Sequence, residues 1–370
     1  MSVVVSLDMI IGNRMVRALR DQSPLPGENI PRVSIIVPAR NEQLNIREAL
    51  HSLLELHYPD YELIVVDDRS EDDTGRILDE MAHSFPRLQV MHIDQLPQGW
   101  LGKNHALWVG SKRATGDLLL FTDADIVMEP TVLTRAVAYM EQYKVDHLAA
   151  TPFLRMPTTF LSIFGIFFFV FFSSFFRVWK ARDSKSRSHI GIGAFNLVSR
   201  EVYRQIGGHE AIRLRPDDDM KLGKIVKKAG FSQDVAYAPE FLTVEWYSSV
   251  GEVIKGLEKN AFSGADYNIP LILSGVLFYL LFNLWPILAI FITHGTVHAI
   301  YVAAVGISVL AFADSTRFHH TKAWYVLGFP IATALWVFIM LRTMILNLAQ
   351  GGIYWRNTFY SLEELKSNKV

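Results

Sequence analysis

The chain has no cysteine among its 370 residues. Disulfides, thiol nucleophiles and cysteine-ligated zinc are excluded, while the redox compartment stays open. Net charge is nearly absent too: 36 lysines and arginines face 37 aspartates and glutamates, leaving −1 at neutral pH. Such a balance gives no general attraction to nucleic acid. The first residues, MSVVVSLDMIIGNRMVRALRDQSP, lack the basic start and small-residue cleavage site of a secretory signal. There is no internal repeat and no low-complexity tract. The 12 histidines show no metal-ligand spacing near the acidic clusters. His319-His320 falls in a basic loop, where a structural role is favoured.

Apolar residues are in excess. Half of the chain is hydrophobic, which is high for a soluble protein. FLSIFGIFFFVFFSSFFRVW (Phe160–Trp179) is the most apolar stretch. It carries no charge as far as Phe176, and Arg155 and Arg177 bracket it. A bilayer core about 30 Å thick needs roughly 20 such residues as a helix. Further on, Pro270–Ile292 has the length to span, Val297–Ala313 is shorter but plausible, and Trp324–Leu341 is a third candidate interrupted by Pro330. At the N-terminus an apolar run is broken by Asp8 and followed by Arg14, Arg17 and Arg20. That pattern suits a helix at a membrane surface or the stump of a span, with a poorly ordered tail as the plainer alternative.

Between these apolar regions, strand and helix signals alternate. VSIIVP (33–38), ELIVVDD (62–68), LQVMHI (88–93) and DLLLFTDAD (117–125) read as strands. Helical spacing predicts helices over 41–56, with Asn41 as a possible N-cap, from Asp72 through Met81, over 103–114 and over about 218–229. This alternation implies an α/β fold with a parallel sheet covered by helices. Ligands in such sheets lie at the carboxyl ends of the strands.

Two of those strands end in carboxylate pairs, Asp67-Asp68 and Asp123-Ala124-Asp125. A third cluster, Asp217-Asp218-Asp219, opens a later helix. Any one of them reads as a solvated cap or turn. Together they would converge on one sheet edge, where like charges are costly unless a cation or a donor-rich ligand offsets them. Residues i and i+2 of a strand share a face, so Asp123 and Asp125 are expected to face one divalent cation and a diphosphate. Lys103, in the glycine-containing turn GWLGKNHAL, precedes a helix whose N-terminus attracts anions. A plain surface lysine is the alternative.

VSIIVPARNE, ELIVVDDRSEDDT, GKNHAL and TDAD, in this order, resemble the family 2 glycosyltransferases of GT-A fold, from about Arg32 to Phe262. GGHEAIR followed by DDDMKLGKIVKKAG resembles that family's later acidic motif, usually Glu-Asp before a helix ending Ala-Gly. The tail GGIYWRNTFY resembles that of membrane members near the hopene-associated and carotenoid-type enzymes, with Asn357 in place of the usual glycine. The resemblance implies a GT-A nucleotide-sugar domain, Rossmann-like with a mostly parallel sheet, over residues 31–263. A membrane-proximal helix over 1–30 would precede it. An interfacial helix over 158–179 would be inserted in it. Transmembrane helices over 264–346 and a basic, aromatic tail over 347–370 would follow.

The resemblance also implies roles. Pro38, Ala39, Arg40, Glu42, Asp67, Asp68, Lys103 and Asp123 would hold the nucleotide sugar. Asp125, with Asp123, would bind Mg2+ or Mn2+. Asp219 would be the base, with Asp218 in the place of the family's glutamate. Phe160, Phe164, Phe168, Trp355 and Arg356 would face the acceptor and the lipid. The implied reaction is inverting transfer from a nucleotide-diphosphate sugar, UDP-linked in the first instance, to a hydroxyl or carboxyl of a membrane lipid. The implied setting is a bacterial cytoplasmic membrane, with the catalytic domain toward the cytoplasm and no nucleic-acid partner.

Three rival readings are weaker. Processive polysaccharide synthases carry Gln/Arg-x-x-Arg-Trp after the base, and this chain has no Arg-Trp pair anywhere. A nucleotide-sugar pyrophosphorylase has no need of a membrane. A transporter or non-catalytic scaffold would want an Asp, Glu, Lys, Arg or His in Pro270–Ile292, and none is there.

Topology stays open at this level. The loop Asp314–Lys322 and the tail after Leu341 are both basic, and basic segments favour the cytoplasmic side. One crossing over Trp324–Leu341 cannot satisfy both. Either Pro330 marks a re-entrant or tilted element, or the tail lies outside despite its charge. The stretch 160–179 is better constrained. Asp125 precedes it and Asp219 follows it, so a single crossing would separate two halves of one site. An interfacial or re-entrant helix is expected, with Arg155, Arg177 and Lys180 near headgroups; a buried core helix is the alternative.

Overall fold

The computed structural model describes residues 2–24, 30–356 and 358–370; Asn357 and residues 25–29 of the N-terminal segment lie outside the described residues. Helix α1 (Ser2–Met15) and the short strand β1 (Arg17–Ala18) come first. Then follow β2 (Val33–Ala39), α2 (Ile46–Leu54), β3 (Tyr61–Asp68), α3 (Thr74–Ser84), β4 (Leu88–Ile93), α4 (Gly102–Arg113), β5 (Leu118–Phe121), β6 (Ile126–Met128), α5 (Val132–Tyr143), β7 (His147–Thr151) and β8 (Phe153–Arg155). After α6 (Thr159–Phe176) come β9 (Asn196–Ser199), α7 (Arg200–Gln205), α8 (Gly208–Ala211), α9 (Asp218–Lys228), β10 (Gln233–Tyr237) and β11 (Leu242–Glu245). The last part holds α10 (Val250–Ser263), α11 (Ile269–Tyr279), α12 (Trp285–Ile292), α13 (Gly295–Phe318), α14 (Phe329–Gln350), the strands β12 (Gly352–Trp355) and β13 (Thr358–Ser361), and α15 (Leu362–Ser367).

These elements form two compact units. One takes residues 16–153, 178–245 and Val370; the other takes 1–15, 154–177 and 246–369.

The first unit is built on an eight-stranded sheet in the order β1-β10-β7-β9-β5-β2-β3-β4. β2 pairs in parallel with both β3 and β5, and β3 with β4. Every residue of β2 and β3 is buried, as expected of apolar strands covered on both faces. Ile36, Val66 and Phe121 pack with Ala106 and Leu107 of α4 and with Leu222 and Val226 of α9 in one core. The carboxyl ends of β5, β2 and β3 therefore lie side by side. β9 runs antiparallel between β5 and β7, which makes the sheet mixed.

Two local expectations are corrected. Asn41 is not an N-cap. It adopts a left-handed φ of 56° and its Oδ1 accepts from the Glu71 backbone N–H at 2.8 Å, while α2 starts only at Ile46. The fourth strand stops at Phe121, so Asp123 and Asp125 sit in the turn before β6 and not on a strand. Strand alternation does not aim them.

The second unit is helical. Four of its stretches are long and apolar enough to cross a membrane: Thr159–Phe176, Ile269–Ile292, Gly295–Phe318 and Ala323–Gln350. Pro330 does not interrupt the last of these. It occupies the first turn of α14, where its missing N–H is harmless. α1 is an ordered helix lying along α13, which rules out the tail reading. Asn13 Nδ2 donates to Ser315 Oγ at 2.9 Å, and Arg14 grips Asp314 at 2.6 and 2.8 Å. Ser6 meets Ser308 at the same sequence offset as Asn13 and Ser315, so α1 and α13 run in the same direction. Arg177, at the end of α6, pairs with Asp8. The Phe329 ring meets Phe312 edge-on at 5.4 Å, so α14 begins alongside α13. α6 is the most buried of the four stretches, at 39% of its window against 11% for α13.

Candidate active site

The site starts at the N-terminus of α4. Asn104 donates from Nδ2 to the carbonyls of Ile212 at 2.7 Å and Arg215 at 3.0 Å, tying this helix to the loop ahead of α9. One residue earlier, Lys103 extends its Nζ to 2.9 Å from Asp123 and 3.3 Å from Asp218. Burial works against its charge, but Asp123, Asp218 and Asp219 outweigh burial and hold the lysine pKa well above its ordinary value. The ammonium thus joins the turn after β5 to the start of α9.

Asp219 lies in the first turn of α9 and is half-buried. Burial, and then the charge of Asp218, push its carboxyl up to about 7, against the pull of Lys103. The loop GIGAF (191–195) holds it. The Gly193 backbone N–H donates to Asp219 Oδ2 at 2.9 Å, and Gly193 O accepts from the Asp123 backbone N–H at 3.1 Å. A Cβ on Gly193 would sit 2.6 Å from Asp123 Oδ2, so only glycine lets the two acids share this loop. One cleft is lined by Lys103, Asp123, Asn196, His209, Asp218 and Asp219, among others.

Asp125 is the second perturbed acid. Burial raises its pKa to about 7, with further repulsion from Asp123 and Glu42. A backbone hydrogen bond and the Lys103 charge pull the other way without cancelling this. Among the described residues there is no ready-made cluster of three or more His, Cys, Asp or Glu that could hold a metal.

The ends of β2 and β3 complete the edge. Pro38, Ala39 and Arg40 are buried, and the Arg40 guanidinium lies 3.8 Å from Asp68. Asp68 is itself fully buried and gripped by Arg69 at 2.7 and 3.1 Å. Asp67 accepts from the Ser70 backbone N–H and meets His92 Nδ1 at 2.9 Å, while His92 Nε2 meets Asp79 at 3.0 Å. Burial opposes the imidazolium, but bonds to Asp79 and Asp67 win and raise the His92 pKa. Glu42 lies between β2 and α2, and its backbone N–H donates to Thr74 Oγ1 at 2.8 Å.

The structure thus brings Lys103, Asp123, Asp218 and Asp219 together in one cleft. It sets Asp123 and Glu42 in the electrostatic reach of Asp125, and places Asp67 and Asp68 along the same sheet edge. Phe160, Phe164, Phe168, Trp355 and Arg356 belong to the helical unit. Phe164 is fully buried, with its ring beside that of Phe167 on the same helix, so it is not exposed to lipid. Phe168 stacks near Trp246 and Trp336, and Trp355 receives the Lys259 ammonium 4.5 Å from its ring centre. Asn196, Gly193 and His209 were not singled out from the sequence. The glycine pair before His209 was the one available signal.

Helices over a mostly parallel sheet, with acids at the strand ends, define the GT-A fold, and the chain is a glycosyltransferase of that fold. Residues 34–207 match the family described as glycosyl transferase family 2. A curated relative is the 4,4'-diaponeurosporenoate glycosyltransferase of Staphylococcus aureus strain USA300. It is 25% identical over 297 residues, covering 78% of this chain and 77% of the relative. Among solved structures, a mannosyltransferase from Pyrobaculum calidifontis, in complex with GDP-Man and Mn2+, aligns with a TM-score of 0.54 at 18% identity. The alignment covers 94% of this chain and 98% of that one.

Proposed function

We propose that the chain transfers a sugar from a nucleotide-diphosphate sugar, UDP-linked in the first instance, to a hydroxyl or carboxyl oxygen of a membrane lipid in one inverting displacement. The observation that carries this reading is the Asp219 carboxyl, half-buried beside Lys103 and Asp123 with its pKa raised toward neutrality. A carboxylate of that basicity takes a proton from an acceptor hydroxyl as its oxygen attacks the anomeric carbon. The bond from that carbon to the diphosphate breaks, and its electron pair leaves with the nucleoside diphosphate. Lys103 and the N-terminal amides of α4 favour the negative charge that builds there. No second nucleophile is required, which fits inversion.

Asp123 and Asp125 suit a hard divalent ion, since their repulsion is what such an ion relieves. Mg2+ or Mn2+ would be held by these two carboxylates and the donor's diphosphate oxygens. Bound there, it would stabilise the leaving group as a Lewis acid. Pro38, Ala39, Arg40, Glu42, Asp67 and Asp68 would border the nucleoside. The mannosyltransferase solved with GDP-Man and Mn2+ supports a nucleotide-sugar donor and a metal. The diaponeurosporenoate glycosyltransferase supports a lipid acceptor.

The apolar helices support membrane residence. The chain leaves the sheet after β7 and returns to it at β9, and these two strands pair directly. One crossing by α6 would put paired strands on opposite sides of a bilayer. α6 is therefore read as interfacial or re-entrant. The acids then face the compartment that holds nucleotide sugars, the cytoplasm of a bacterial cell.

The test combines purified enzyme, a membrane lipid extract and labelled UDP-glucose, UDP-GlcNAc and GDP-mannose, with and without Mn2+. A single glycolipid product is expected. Polymer, or no transfer from any donor, would overturn the reading.

A further inference from the structure

His209 does something that the acidic motifs do not account for. It follows two glycines with left-handed φ, Gly207 at 79° and Gly208 at 53°. A Cβ on Gly208 would meet the Tyr203 ring at 2.5 Å, so glycine is what lets the backbone close on that ring. The closure makes two hydrogen bonds. The His209 backbone N–H donates to Tyr203 Oη at 3.0 Å, and Tyr203 Oη lies 2.8 Å from His209 Nδ1. Phe121 packs edge-on against the imidazole, with ring centres 4.7 Å apart. The ring is held from two sides and is 1% exposed, yet it lines the cleft with Lys103, Asp218 and Asp219.

The hydrogen-bond distances favour one tautomer. Tyr203 Oη already accepts from the His209 backbone, so its own proton goes to His209 Nδ1 at 2.8 Å or to Ser111 Oγ at 3.3 Å. The shorter leg is the stronger one. Ser111 spends its own proton on the Trp108 carbonyl at 2.7 Å, so toward Tyr203 its Oγ can only accept, over the longer leg. With Nδ1 accepting, a neutral imidazole carries its proton on Nε2. Burial keeps the ring neutral, and the Lys103 charge adds to that; together they push its pKa down to about 3. The result is an uncharged N–H donor among carboxylates and one ammonium, in a place where the acids can only accept.

We infer that His209 Nε2–H donates a hydrogen bond to a substrate oxygen in the cleft, and that Tyr203 is the positioning residue that fixes its tautomer. This inference rests on the glycosyl-transfer reading for the identity of the substrate. The oxygen is either a hydroxyl of the donor's sugar or an oxygen of the incoming acceptor. A neutral donor suits both, because it reads an oxygen without adding charge beside Asp219. Leaving such a buried site unpaired is what discriminates against a substrate that lacks the oxygen.

Two measurements decide it. Ring 15N NMR of the free protein is expected to show His209 as the neutral Nε2–H form down to pH 5, and as a mixture of tautomers in Tyr203→Phe. A wild-type ring that titrates near the ordinary value of about 6.5, or that carries its proton on Nδ1, would overturn the inference. This readout does not depend on any transfer activity. In kinetics with the most active of UDP-glucose, UDP-GlcNAc and GDP-mannose, His209→Phe is expected to lose roughly 10²-fold in kcat/KM. His209→Gln, which keeps an N–H, should stay within about tenfold of wild type, and Tyr203→Phe should fall between them. A change in the donor's KM assigns the bond to the sugar; a change in the lipid's KM assigns it to the acceptor. Wild-type kcat/KM in folded His209→Phe would sink the inference while leaving the glycosyl-transfer reading intact. If His209→Phe does not fold, Tyr203→Phe with wild-type kinetics and an unmixed tautomer has the same meaning. Absence of transfer by the wild type fails the broader reading instead.

Discussion

Gly193 donates its backbone N–H to Asp219 Oδ2 at 2.9 Å while its carbonyl accepts from the Asp123 backbone. One residue from the loop ahead of β9 thus positions acids from two distant parts of the chain. Gly193→Ala would press its methyl group onto Asp123 Oδ2. We expect transfer to fall by roughly 10²-fold, as small misplacements of reacting groups do, with little loss of melting temperature. Steady-state kinetics beside a thermal melt checks this; an active, unperturbed variant would show that the loop has slack.

Asp219→Asn removes the base and keeps the shape. Transfer to a hydroxyl acceptor should drop by about 10²-fold or more, while nucleotide binding measured by calorimetry is retained. A carboxylic acid acceptor is already ionised at neutral pH, so this variant should transfer to it far better. Equal losses on both acceptor types would remove Asp219 from the role of base.

The same carboxyl sets a pH dependence. Its folded pKa is raised, so the folded state prefers the protonated form. The associated stability is fully present below the unfolded value near 4 and is lost as pH rises through about 7. Asp125 adds in the same sense. Asp219→Asn should therefore melt higher than wild type, with a gap that widens from pH 5 to pH 8. Transfer to a hydroxyl should rise over the same interval as the base ionises. A melting gap independent of pH would refute the linkage.

Lys103→Met takes away the cation shared by Asp123 and Asp218. Kinetic loss should exceed binding loss, because the charge it answers grows as the diphosphate departs. Added Mn2+ should recover part of the rate, since both cations relieve the same carboxylates. A pure KM effect would place Lys103 in ground-state binding alone.

Cysteine substitution can test the topology, because the chain has no cysteine of its own. A cysteine introduced at Ser184 is expected to react with an impermeant maleimide only from the side that holds the acidic cleft. Labelling of Ser184→Cys from the opposite side would mean that α6 crosses after all.

Much of this was legible in the sequence. The buried apolar runs of β2 and β3, and the helical spacing behind α3 and α4, are strong local signals because burial on both faces leaves little else. The acids were legible as a set, but their aim was not. Asp123 and Asp125 read as strand residues, yet β5 ends at Phe121 and tertiary contacts from Gly193 place Asp123. Asn41 looked like a cap because its side chain accepts a backbone N–H. It does so across to Glu71 instead of into its own helix. NLVS was too short to stand out, and its antiparallel place between β5 and β7 depends on partners far away in sequence. His209 was passed over because a lone histidine is usually core. Only its pairing with Tyr203 distinguishes it.

The insertion of α6 between β7 and β9 has a consequence for biosynthesis. β5 and β7 are not neighbours in the finished sheet; β9 lies between them, and it is made after α6. The most apolar helix of the sheet-side half therefore leaves the ribosome while the sheet still has an open slot. During that interval unpaired edges of β5 and β7 and a run of phenylalanines are exposed together, a combination prone to aggregate. A lipid surface that takes up α6 early would act as its holdase, and β9 would close the gap between β5 and β7 only once the helix is anchored.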